Sequence, residues 1–147
     1  MITSEKIQLI THIRVLAERL KNAAEKRNLK VVDFVLYSLY ADAKTLSEII
    51  LCQKTPTFEK EKITSKLSTV CSIITDTLNT ILRNIRHVNI YILVDLIGEL
   101  YKSGCTTIFD TTHKNIIRAL DRNLDGLAHF ADVLVECGCI DLAVPIL

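Results

Sequence analysis

Only four glycines and two prolines interrupt the 147 residues of this chain, and that scarcity constrains its fold more than any other feature. A β-sandwich or barrel must reverse direction every roughly 8 to 12 residues and needs turn formers at each reversal, so the chain argues against all-β architecture. In place of turns it carries apolar residues that recur at steps of three and four, the spacing that lines one face of a helix. Apolar residues make up 49% and charged residues 24%, far from the composition that stays disordered. The length suits one domain. The expected fold is all-α, a single helical domain over 1–147.

From Ser4 to Arg27 the residues Ile7, Ile10, Ile13, Leu16, Leu20 and Ala23/Ala24 share a helical face, with Ser4 suited to the N-cap and Asn28 to the stop. From Val31 to Cys52, the residues Val32, Val35, Leu36, Leu39, Ala43, Leu46 and Ile50 form one stripe that Phe34, Tyr37, Tyr40 and Ile49 widen. A helix apolar on most sides belongs in the middle of a bundle, where core or helix contacts take up its aromatics. Thr55-Pro56-Thr57 is the clearest break, because proline disfavours helix in the residue before it and suits the first turn of the next. Phe58 to Ile85 then carries Ile63, Leu67, Val70, Ile74, Leu78, Ile81 and Ile85, a heptad-like seam on a long helix.

His87 to Asn89 is the next break. Ile90 to Val94 has strand propensity, but Leu93, Leu96, Ile97, Leu100 and Tyr101 continue in helical period up to Gly104, so the segment is expected as helix. Short helices follow over about Thr112 to Arg122 and Leu124 to Glu136, with Gly138 as a stop before a stub from Ile140. The expected architecture is an up-down bundle of three to four long helices followed by short repeat-like helices. Sliding the chain by 34 residues lays Leu93 on Leu127, Leu100 on Leu134, and Gly104-Cys105 on Gly138-Cys139. The run Val133-Leu-Val-Glu-Cys-Gly-Cys-Ile-Asp-Leu-Ala-Val-Pro-Ile-Leu147 resembles the junction of armadillo/HEAT-type helical repeats, over the C-terminal third only. That resemblance implies stacked helical hairpins whose groove binds extended peptides, although such arrays need three or more repeats and the long heptad-like helix departs from the pattern. If the stub opens a further helical pair, the chain is the N-terminal part of a longer helical protein.

Eighteen Lys and Arg against seventeen Asp and Glu give no overall field to attract nucleic acid or an anionic membrane. The distribution is uneven: residues 1–87 carry a net charge of +5 and residues 88–147 one of −4. The N-terminus lacks the apolar stretch of a signal peptide, and the longest apolar run, Ile90 to Val94, is far too short to span a bilayer. Five cysteines, an odd number set in apolar stretches, suit reduced thiols and an intracellular location, cytoplasmic or nuclear.

Each candidate for chemistry has a plainer structural explanation. Cys137, Cys139, Cys105 and His129 could supply four soft ligands to zinc, but paired knuckle spacings are missing and cysteine is a common small core residue. A cysteine nucleophile would need a histidine and an orienting group from elsewhere, and His12, His87, His113 and His129 sit in no recognised signature. Asp95 and Glu99, one turn apart, read as solvated surface. The basic cluster Arg14, Arg19, Lys21, Lys26, Arg27 and Lys30 is interrupted by Glu18 and Glu25 and has no aromatic to stack a base. Four scattered glycines cannot build a phosphate loop.

The function that remains is a non-enzymatic adaptor or scaffold, binding a partner helix or extended peptide in a groove between helices, with no cofactor, metal, nucleic acid or membrane span. One alternative is a structural domain that self-assembles through the seam of Ile63, Leu67, Val70, Ile74, Leu78 and Ile81. Another is a small helical regulator of cell death or innate signalling.

Overall fold

A computed structural model describes residues 4–146. They form α1 (Ser4–Glu25), α2 (Leu29–Leu51), α3 (Thr57–Asn84), α4 (Ile90–Lys102), α5 (Ile108–Ala119), α6 (Leu124–Glu136) and α7 (Ile140–Ala143), and end in a 3-10 turn over Val144–Ile146. No strand occurs among the described residues, and no helix there is long and apolar enough to cross a membrane. The side chain of Ser4, expected as a cap, and Leu147 at the chain end lie outside the described residues.

The helices sort into two layers. α1 packs along α3 and α3 along α5, while α2 packs along α4 and α4 along α6. Lys6 meets Glu59 and Arg14 meets Thr69, so residue numbers rise together and α1 runs parallel to α3. The same rise links α2 to α4 through Asp33 with Asn89 and Ser47 with Glu99. It links α4 to α6 through Tyr91 with His129 and Gly98 with Cys137. The layers are joined along the α1–α2 hairpin, whose helices pack side by side, and by the lesser contacts of α4 with α5 and of α6 with α7. Direction therefore alternates along the chain, and apart from the α1–α2 hairpin the long contacts run between next-but-one helices. This differs from a simple up-down bundle because α3 lies against α1 and α5 and touches α2 only lightly.

Each of the three even-numbered helices starts on an asparagine whose side chain accepts from the backbone N–H three residues on: Asn28 from Val31, Asn89 from Ile92 and Asn123 from Gly126. Arg27, His87 and Arg122, just ahead of those caps, hold positive φ angles of 52°, 65° and 65°. Asn28 is thus the start of α2 as well as the end of α1's reach, because its short amide satisfies an orphan donor of the first turn. α4 and α6 also end alike. Gly104 and Gly138 adopt φ of 122° and 77°, and the next N–H reaches back from Cys105 to Leu100 O at 2.9 Å and from Cys139 to Leu134 O at 2.8 Å. Start cap, length and left-handed stop all recur 34 residues apart.

α4 and α6 approach closely at Gly98. A Cβ there would lie 2.8 Å from Val133 Cγ1, on a buried side chain, so Gly98→Ala must push the two helices apart. The expected cost is about 1–3 kcal/mol, read as a lower urea midpoint at unchanged slope.

Two further expectations are corrected. The helix over Thr112 to Arg122 begins four residues earlier, at Ile108, because Ile108 and Phe109 are buried against the core. The five cysteines are not all reduced: Cys71 of α3 and Cys105, just after α4, form a disulfide with Cα atoms 5.8 Å apart. The α3–α5 contact brings the two together.

Candidate functional site

α2 shows most clearly where the molecule is unfinished. It meets α1 through Asp42, which bonds His12, and α4 through Asp33 and Ser47. At 3.6 residues per turn, Phe34, Ala41 and Thr45 point away from both contacts, with Val31 and Ser38 on the edge beside Asp42 and Tyr37 on the other flank. Phe34 is 71% exposed and Tyr37 62%. This overturns the expectation that α2 sits in the middle of a bundle and that Phe34 and Tyr37 are core; Tyr40 alone of its aromatics packs against the core, partly buried. With α3 touching it only lightly, one side of the helix has no neighbour among the described residues.

That side is also drier than its sequence suggests. Ser38 Oγ donates to Phe34 O at 3.2 Å and Thr45 Oγ1 to Ala41 O at 3.1 Å, so both hydroxyls are spent on the helix's own backbone. From Val31 to Thr45 the stripe itself carries no charge, and exposed Lys44 borders it beside Tyr37. Lys30 and Glu48, both exposed, stand at its two ends. Single exposed apolar residues are ordinary, but a contiguous stripe that includes exposed aromatics marks an interaction surface.

The main cluster of titratable groups lies between α2, α4 and α6, around a cavity of about 120 Å³. His129 Nε2 and Asp95 Oδ1 are 2.7 Å apart, and the His129 ring packs on Tyr91 at 5.3 Å between centroids. Ser47 Oγ donates to Glu99 Oε2, and Lys102 Nζ donates to Glu99 Oε1 at 3.3 Å. Asp95 and Glu99 are therefore not solvated surface: both are half-buried and already bonded within the chain. Burial works against the Lys102 charge, but the Glu99 carboxylate beside it holds the ammonium above its ordinary range. Cys137 lies next to them with its thiol aimed at the Gly98 carbonyl, and burial pushes it up to about 11.

Cys52 behaves in the opposite way. At the C-cap of α2 it is exposed, and the Lys54 backbone N–H lowers its thiol from the ordinary value. Thiolate is the reactive form, and a thiol titrating near 11 is ionised only to about one part in a thousand at pH 8. Iodoacetamide at pH 8, followed by peptide mass mapping, should label Cys52 first and Cys137 last; equal rates at the two sites would contradict the burial of Cys137.

The imagined zinc quartet does not assemble. Cys105 is held in the disulfide, and among the described residues no group of three His, Cys, Asp or Glu could hold a metal. The basic cluster from Arg14 to Lys30 lies exposed along α1 and its turn into α2. Arg14 is tied to Thr69 at 2.9 Å across an open groove of about 310 Å³ between α1 and α3, floored by Ile7 and Ile10. All six seam residues, Ile63, Leu67, Val70, Ile74, Leu78 and Ile81, have zero exposure. Their heptad-like spacing is taken up inside the chain, where α3 packs against α1 and α5. A second chain could reach them only by displacing one of those helices.

The residues of the α2 face were visible in the sequence, but what leaves them bare is tertiary. The signal that could have found them is the run of small uncharged residues, Ser38, Ala41 and Thr45, completing a charge-free stripe with Val31 and Phe34. The fold and this face together define an all-helical, two-layer domain with one unpartnered apolar helix side. No family model matches the chain, and neither a curated protein nor a solved structure matches it.

Proposed function

We propose that this chain is a non-enzymatic protein-interaction domain, an adaptor or scaffold built as a short array of stacked helical hairpins. The outer face of α2 carries the reading: a charge-free stripe with a 71% exposed phenylalanine costs free energy in water and recovers it only under a partner. A partner helix laid along α2 would take Phe34 and Tyr37 as anchors, the helix-in-groove mode of recognition. The groove between α1 and α3, with its apolar floor and the cations Arg14 and Lys66, suits an extended acidic segment as a secondary contact. Parallel stacking of alternate helices and the 34-residue recurrence of caps between α4 and α6 support the repeat-array reading.

A binding role also accounts for the polar cluster, whose carboxylates are engaged by Ser47, Lys102 and His129 rather than poised for a substrate. An intracellular location, cytoplasmic or nuclear, belongs to the same proposal. The Cys71–Cys105 bond pulls the other way, because structural disulfides persist mainly in oxidising compartments.

The test is a photo-crosslinking amino acid placed at position 37 of the full chain, expressed in its own cells. A discrete adduct that disappears in Phe34→Asp is expected; no adduct, or one indifferent to Phe34→Asp, overturns the assignment of this face.

A further inference from the structure

We infer that the partner of the α2 outer face is a second copy of this chain, with the two α2 helices paired antiparallel about a twofold axis near residues 38 and 39. The inference rests on the reading of that face as the docking surface. The first reason is charge. Lys30 and Glu48 are 18 residues apart, which is five turns, so they stand on the same flank of α2 at opposite ends of the uncharged stripe. A twofold axis midway between them preserves the flank and reverses the direction. Each Lys30 then faces the partner's Glu48, and each Glu48 the partner's Lys30. Neither charge makes an ion pair within the chain among the described residues.

The second reason is shape. The bulky groups Val31, Phe34 and Tyr37 lie in the N-terminal half of the stripe, and the small ones, Ser38, Ala41 and Thr45, lie in the C-terminal half. Reversal lays the bulky half of one helix over the small half of the other, so Tyr37 comes level with the partner's Ala41 and Phe34 with the partner's Thr45, and the axes can approach to the usual roughly 8–10 Å. The contact is isologous, using the same patch twice, and closes on itself without leading to filaments. It is also small for a permanent dimer, so the pair must form and part with concentration.

Sedimentation equilibrium of the full chain across a hundredfold concentration range tests this. The parent should pass from monomer to dimer and should associate more weakly in high salt. Lys30→Glu and Glu48→Lys should each weaken association about tenfold, since each sets like charges against each other at both ends. The double variant should bring it back to within a few-fold of the parent. Phe34→Asp should abolish it. Both charge changes place the sign that suits the α2 dipole, an acid in the first turn and a base near the last, so folding is preserved and circular dichroism can verify it.

A chain that stays monomeric throughout, or a double variant that fails to restore association, overturns the inference. If the chain is monomeric while position 37 still crosslinks to a different protein, the second copy is excluded and the docking face stands. Monomer together with no crosslink removes both.

Discussion

Ile74→Asp is expected to abolish the folded state outright. Ile74 has no exposed surface and sits in the middle of α3, where that helix packs against α1 and α5. Truncation to alanine removes transfer free energy and leaves a cavity, about 2–5 kcal/mol for a buried aliphatic residue. An aspartate adds the burial of a polar group with no partner, a further roughly 2–7 kcal/mol. A domain of this size has only about 5–15 kcal/mol in total. Far-ultraviolet circular dichroism at 25 °C should therefore show Ile74→Ala folded with a lowered denaturant midpoint and Ile74→Asp unfolded. The same substitution separates the two accounts of the heptad-like seam. If Ile63, Leu67, Val70, Ile74, Leu78 and Ile81 paired with another chain, Ile74→Asp would yield a folded monomer, and that outcome would contradict the packing described.

Opening the Cys71–Cys105 bond should have the second largest effect. The bond closes a loop spanning α3 and α4 with a sequence separation of 34, which in the chain-entropy model is worth about 4 kcal/mol at 25 °C. The paired variant Cys71→Ser with Cys105→Ser, or the parent under reductant, should lose about that much in a urea titration, the reductant having no effect on the double variant. Thiol counting on the unfolded, unreduced protein should give three free thiols, Cys52, Cys137 and Cys139. Five thiols with no change of stability under reductant would restore the reduced reading of the cysteines.

The elements that could be read from sequence are those whose signals are local. α6 runs from Leu124 to Glu136 as expected, since Asn123 caps it and Gly138 stops it within its own stretch of chain. α4 is a helix in spite of the β-rich Ile90 to Val94, because its period continues to Leu100. α5 starts earlier than its sequence indicates: Thr106 and Thr107 resemble a loop, yet the Gly104 turn is short and Ile108 enters the core at once. The disulfide was not legible because Cys71 lies 34 residues from Cys105 in sequence, and only the packing of α3 beside α5 brings them together. α2 failed for a related reason. Apolar residues around a helix state how much of it wants covering, whereas the arrangement of the other helices decides how much is covered, and here α3 went to α1.

Thermal unfolding of Phe34→Asp, at a concentration low enough to keep the chain monomeric, tests the central claim most directly. If the α2 face is bare in the folded molecule, the substitution lies at the surface and should change stability by about 0.5 kcal/mol or less, a shift of about 2 °C for a chain of this length. If Phe34 is instead part of the core, burying a carboxylate in its place would lower the transition by about 10 °C or more, or remove it. A transition unmoved in temperature, in a variant that no longer associates, is the result this structure predicts; a collapse of the transition would contradict it.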